Sequence, residues 1–260
     1  MNIKPRKVEP GYMKRWFKQS VAMMIYSPLN WILVLSCFYL LDGYNINTVA
    51  KILMGMFFVV LGLEFSHYAY ERKNSLDVFV RSLVNTFKSF FMQIKLRLVV
   101  LIFVLGAIAL LNYAQDAALA KMTAEELAKI EKRVPRFMGD SVWFFIFGVT
   151  FLNMGGMMRI FSHLLNRYFG VEERAIIDVQ CHNAAMENKD VNVTNEVALF
   201  GLIFVLGILF PTLIFIIYPV YCGMVYLAFR EIFVGDNEVK VEEDVKEESF
   251  IAKPALIDNR

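Results

Sequence analysis

The chain is organised by where charge is missing. No Asp, Glu, Lys or Arg occurs from Gln19 to Leu41, from Leu98 to Gln115, from Ser141 to Met158, or from Val197 to Phe229. A fifth apolar stretch, Ile52 to Tyr70, is broken only by Glu64. About 20 apolar residues cross a hydrocarbon core of about 30 Å as a helix, and an ionised side chain placed there is costly. A helix buried in a water-soluble core usually keeps one polar face, and these stretches keep none. The pattern predicts an all-α, polytopic transmembrane helix bundle of about six spans, at about 26–42, 49–68, 97–115, 141–160, 196–214 and 217–233. The last two rest on proline. As one helix, Val197 to Phe229 would be roughly 50 Å long, and Pro211 with Tyr218-Pro219 favours a break into two short spans joined by a tight turn. One long kinked helix is the alternative.

Basic residues set the orientation. Six precede the first span against one acid, and Glu71 to Arg97 carries six against two. The loop between the third and fourth spans holds five of each sign. Lys and Arg stay on the cytoplasmic side, so both basic segments are expected there, with the neutral loop outside and both termini cytoplasmic. Residues 1–235 then form a single integral membrane domain. Residues 236–260 form an acidic cytoplasmic tail, expected to be disordered, with seven acids against two lysines from Asp236 to Glu248. In the outside loop, Thr123 and Glu126 form a capping box with Met122 and Leu127 as its staple, predicting a short helix that stops before Pro135.

Apolar and basic positions also alternate at helical spacing outside the spans. Tyr12, Trp16, Phe17, Ala22 and Met23 mix with Lys14, Arg15 and Lys18; Val78, Phe79, Leu83, Val84, Phe87, Phe90 and Phe91 mix with Arg81, Lys88 and Lys95. Such stretches describe amphipathic helices lying among headgroups. Lys14, Arg15, Trp16, Lys18, Arg81 and Lys88 are accordingly the expected membrane-surface residues, with anionic lipid as their partner. Ile160, Leu164, Leu165 and Phe169 with Arg159, Arg167 and Arg174 make a weaker third copy, so the chain reads as an interfacial helix followed by a membrane hairpin, repeated. Alternatively, the flanking aromatics and bases are simply what any span needs.

Composition agrees: 57% apolar residues and 24 Phe, with a mean hydropathy of +0.48, fall outside the range of soluble domains. A net charge of +2 gives no ground for expecting nucleic acid as a partner. Gly11-Tyr12 with Trp16, then Pro28 and Trp31, together with Tyr226-Leu-Ala-Phe-Arg-Glu-Ile-Phe233 near the far end, resembles a group of uncharacterised polytopic bacterial inner-membrane proteins. The resemblance implies a bacterial inner-membrane location and carries over no active residues.

Few residues are candidates for chemistry. Glu64 is the one Asp, Glu, Lys or Arg within the five apolar stretches, with His67 at i+3 on the same face. A carboxylate at that position is either a proton or cation site or an interfacial, structural group. Asn153-Met-Gly-Gly-Met-Met158, with Gly148 before it, predicts a close helix contact at Gly148, Gly155 and Gly156, with Asn153 hydrogen-bonding across it. Met54, Met56, Met154, Met157 and Met158 suit core filling or, alternatively, soft ligation of Cu(I). Cys181-His182 lacks a second ligand pair, and His163 reads as an isolated interfacial residue. Three cysteines, Cys37, Cys181 and Cys222, give no disulfide framework. No catalytic, cofactor or metal motif is legible. The expectation is a non-enzymatic protein acting through helix–helix contacts with a membrane-protein partner or its own copies. A small transporter or channel is second, and a membrane-embedded lipid-modifying enzyme third.

Overall fold

In a computed structural model of the chain, residues 3–41, 48–119, 146, 148–150, 152–153, 158–191 and 213–235 are described. Among them every regular element is helical. These are α1 (Tyr12–Tyr26), α2 (Pro28–Leu41), α3 (Thr48–Tyr70) and α4 (Leu76–Leu119). After a 3₁₀ turn (Arg159–Phe161) come α5 (Ser162–Phe169), α6 (Arg174–Glu187) and α7 (Ile214–Phe229), and the last runs on into a π-helical turn (Arg230–Val234). By length and composition, Val49–Tyr70 and Phe215–Val234 are apolar enough to cross a membrane, and α1 with the start of α2 makes a third such stretch if taken together.

Local chemistry sets the junctions. Pro28 takes the first helical position of α2, where its missing N–H is harmless, and it holds Ser27 out of helical geometry at φ −126°. The two helices meet there at 87°. Gly170 ends α5 at φ +64°, a left-handed conformation that glycine adopts without Cβ strain.

The direction of each helix follows from its contacts. Tyr218 donates its hydroxyl to the Phe58 carbonyl at 2.6 Å, Gly62 lies against Tyr218 and Cys222, and the Arg230 guanidinium sits 4.0 Å over the Tyr70 ring. Residue numbers rise together, so α3 and α7 run parallel. The short α5 runs the same way, with His163 beside Glu64 and Arg167 over Tyr68, and Gly148 lies on Gly55. In contrast, α4 runs antiparallel to α3: Phe79 stacks on Phe65 at 5.6 Å, Asn85 reaches Glu64, and Phe87 and Phe90 meet Phe57 at 4.9 and 5.6 Å. Edge-to-face contacts of Trp31 with Phe65 and Tyr218, at 5.8 and 5.9 Å, fasten α2 to the same core.

Three sequence expectations change. First, the basic stretch before the third span is no separate surface helix; it is the first half of α4, whose 44 residues extend about 66 Å. Second, this charged half, expected among headgroups, packs along α3 instead. The charge-free half of α4 therefore continues past the start of α3. Third, Tyr218-Pro219 makes no break, because α7 passes through Pro219 from Ile214 onward. The expected span 196–214, the capping box at Thr123–Glu126 and the tail 236–260 lie outside the described residues, except that the span's last two positions, Leu213 and Ile214, start α7.

Candidate functional site

The polarity of α4 is reversed. Leu76, Val80, Val84, Phe87, Phe91 and Leu98 are exposed, while Ser82, Thr86, Gln93 and Arg97 are buried. Arg81, Lys88 and Lys95, at steps of seven, make an exposed basic stripe between these faces. The buried polar face and the segments packed on it build two connected clusters.

Glu64 is the centre of the first. Its side chain is 0% exposed, and its Oε1 lies 2.9 Å from His163 Nε2 and 3.3 Å from Arg167 Nε. Asn85 Nδ2 donates to Oε2 at 3.4 Å. Three elements thus converge on one carboxylate: α3 supplies the acid, α4 the amide, and α5 the imidazole and the guanidinium. His163 and Arg167 share a face of α5 because they are four residues apart. A buried carboxylate is tolerated only with such partners, since desolvation otherwise drives it to the neutral form. His67, one turn further along α3, turns to different partners. Its Nδ1 lies 3.0 Å from the Tyr168 hydroxyl and 3.2 Å from that of Tyr226, and these hydroxyls bond to each other. Burial pushes the Tyr168 phenol above its ordinary value, so it remains a hydrogen-bond donor across the physiological range.

Arg97 is the centre of the second cluster. The guanidinium is 1% exposed and donates to the carbonyls of Leu152 (2.7 Å) and Arg159 (3.0 Å) and to Ser162 Oγ (3.1 Å). It also donates to Gln93 Oε1, which Ser162 Oγ reaches at 2.7 Å. Its planar fork of donors suits several carbonyls at once, which an ammonium cannot match. Arg159 pairs with Asp178 on α6.

A third cluster ties the N-terminal segment to the far end. Glu231 accepts from Trp16 Nε1 (2.7 Å), Arg15 Nη2 (2.6 Å) and the Glu9 amide (3.2 Å). Asn188 accepts from the Val8 amide at 2.7 Å and donates to the Arg6 carbonyl at 2.9 Å. Residues 6–9 are thereby held between the end of α6 and the π-helical turn, where the Arg6 amide meets the Ile232 carbonyl at 2.8 Å.

The sequence-derived candidates fare unevenly. Glu64 proves buried and paired, yet its partner is His163, which looked isolated, while His67 joins the tyrosines. Gly148 makes the expected close approach: a Cβ there would fall 2.2 Å from the Gly55 carbonyl carbon. Asn153 bonds to Val149 of its own helix at 3.2 Å instead of reaching across. Gly155, Gly156, Met154 and Met157 lie outside the described residues. Lys14, Lys18, Arg81 and Lys88 are exposed, whereas Trp16, expected among headgroups, is 1% exposed because its indole N–H is bound to Glu231. Cys181 is buried and the adjacent His182 exposed, so they face different environments; burial pushes the Cys181 thiol up to about 12, the state of an inert thiol. Among the described residues, no three His, Cys, Asp or Glu side chains are grouped to hold a metal ion. One signal for the hidden site was present in the sequence: His163 and Arg167, four residues apart, share a helix face, and Glu64 meets both. No family model matches the chain, and neither does any curated protein or solved structure.

Proposed function

We propose that the chain is a non-enzymatic, multi-pass protein of the bacterial inner membrane that works through helix–helix contacts, as a subunit or regulator of a membrane assembly. The reversed polarity of α4 carries this reading. In water a helix turns its polar residues outward; here Ser82, Thr86, Gln93 and Arg97 are buried and a file of large apolar side chains is exposed, as in a bundle whose outer solvent is lipid. Its outward file continues through Val99, Ile102, Phe103, Leu110 and Tyr113, offering lipid or a partner helix a long apolar face. Close approaches at small residues, Gly148 on Gly55 and Gly223 on Ser20, are the packing that joins membrane helices when no hydrophobic force separates lipid from protein.

The parallel run of α3 and α7 favours six crossings with both termini in the cytoplasm, because five would reverse α7 against α3. At about 66 Å, α4 exceeds the full thickness of about 40–45 Å including headgroups. It therefore tilts steeply, and Lys14 and Lys18 of α1 meet anionic headgroups on the cytoplasmic side. Purification in mild detergent tests the assembly: a stoichiometric partner supports it, and a particle holding this chain alone favours the second reading. That reading is a small transporter or channel, and the observation in its favour is the Glu64–His163–Arg167 cluster, since buried ionisable groups within spans mark ion and proton pathways.

A further inference from the structure

The buried face of α4 contains more polar atoms than the protein satisfies. Ser82, Thr86, Gln93 and Arg97 stand 4, 11 and 15 residues along from the first, offsets that return to one side of a helix and make a stripe about 22 Å long. Among the described residues, the hydroxyls of Ser82 and Thr86, Nε2 of Gln93 and Nε of Arg97 are buried without a hydrogen-bond partner, and so are both amide atoms of Asn30 on α2. Orphaned polar atoms of this kind are normally bridged by internal water. The stripe passes Asn85, whose amide touches Glu64, and His163 on the other side of that carboxylate has an Nδ1 that is likewise buried and unpartnered. One end of the stripe approaches the turn at 71–75, which is exposed. At the other end Arg97 is occupied by Gln93, Ser162 and two backbone carbonyls, and α4 beyond it is apolar.

We propose that this stripe is a one-ended file of internal water, leading from the exposed turn at 71–75 to the Glu64–His163 pair and closed by Arg97, through which the pair takes up and returns a proton. The proton enters from water at the turn, binds on the imidazole or the carboxylate, and leaves by the same route; nothing is oxidised or reduced. Each element facing the pair contributes a named group. From α5 come Arg167 and His163, from α4 Asn85, and from α3 His67, which is itself faced by Glu71, Arg167 and Arg230 and hydrogen-bonded by Tyr168 and Tyr226. The inference rests on the membrane part of the proposed function and is independent of any partner.

The test is time-resolved infrared spectroscopy after a pH jump, on protein in nanodiscs. The wild type should give carboxylate and imidazole bands that change within the mixing time. Glu64→Gln should remove the carboxylate band, and Ser82→Ala with Thr86→Val should slow the remaining change at least tenfold. An unchanged rate in the double variant, or no pH-dependent band assignable to Glu64 or His163, overturns the proposal. A second measurement does not depend on that variant folding. With the three native cysteines replaced, Thr86→Cys should react with a small water-soluble methanethiosulfonate, whereas Val34→Cys, on a buried apolar position of α2, should not; equal protection of both overturns the water file. Flotation of the same preparation with vesicles reports separately on the membrane reading.

Discussion

Gly148→Ala isolates the helix contact on which the packing account depends. A Cβ at this position would lie 2.2 Å from the Gly55 carbonyl carbon, 2.3 Å from its oxygen and 2.8 Å from the Met56 nitrogen. All three are backbone atoms, so no side chain can rotate out of the way. Restoring an ordinary contact of 3.4 Å means moving the two helices about 1.2 Å apart. Overpacking of this kind costs about 1–3 kcal/mol, toward the upper end where the obstacle is rigid. Alanine returns up to about 1 kcal/mol through its better helix propensity, leaving a net loss of about 2 kcal/mol. The control is Gly106→Ala on α4, where an added Cβ meets nothing within 4 Å and only the propensity gain of at most about 1 kcal/mol remains. Reversible unfolding in mixed micelles, by titration with a denaturing detergent, reads both. Opposite signs for the two variants are expected. A Gly148→Ala protein as stable as the wild type, or equal losses at both glycines, would refute the close approach of these backbones.

Three further outcomes follow from the buried clusters. Arg97→Met leaves the Leu152 and Arg159 carbonyls and Ser162 without their donor and should destabilise by about 2–4 kcal/mol, because unsatisfied buried groups cost about 1–3 kcal/mol each while removal of a buried charge returns part; Arg97→Lys should not rescue it in the same unfolding assay. Glu231→Ala frees the Trp16 indole, and the part of the tryptophan emission that Trp16→Phe removes should shift to the red and quench more readily with acrylamide. Cys181, raised in the fold, makes stability fall with pH: between about 9, where the unfolded thiol ionises, and about 12, where the folded one does, the native state binds more protons than the unfolded one. The slope is at most about 1.4 kcal/mol per pH unit, and unfolding of Cys181→Ala at rising pH should lose that contribution.

What the sequence conveys and what it hides divide along physical lines. Charge-free runs locate α2, the second half of α4 and α7, and one broken only by Glu64 locates most of α3, because long apolar helices show directly in composition. The Pro28 junction is legible for the same local reason that α2 begins there. Depth and register are not. The basic residues of 76–97 suggest a surface helix, yet Arg81, Lys88 and Lys95 occupy only one stripe, and the polar residues between them face inward. Only pairing with α3 reveals that, and pairing is a long-range property. Trp16 illustrates the same limit: aromatic and flanked by lysine and arginine, it reads as a headgroup anchor until Glu231, more than two hundred residues away, takes its N–H. Glu64 is conspicuous as a charge within an apolar run, but its partner His163 comes from an unrelated stretch, and only the four-residue spacing of His163 and Arg167 hints at a shared acidic partner.

Fractionation of the expressed chain tests most directly whether lipid surrounds the outward file of α4. Membranes washed in alkaline carbonate and spun at high speed without detergent should retain the protein in the pellet and release it only on solubilisation. Recovery of folded protein in the supernatant would contradict the account, since the exposed Phe, Leu and Val side chains of α4 would then have to face water.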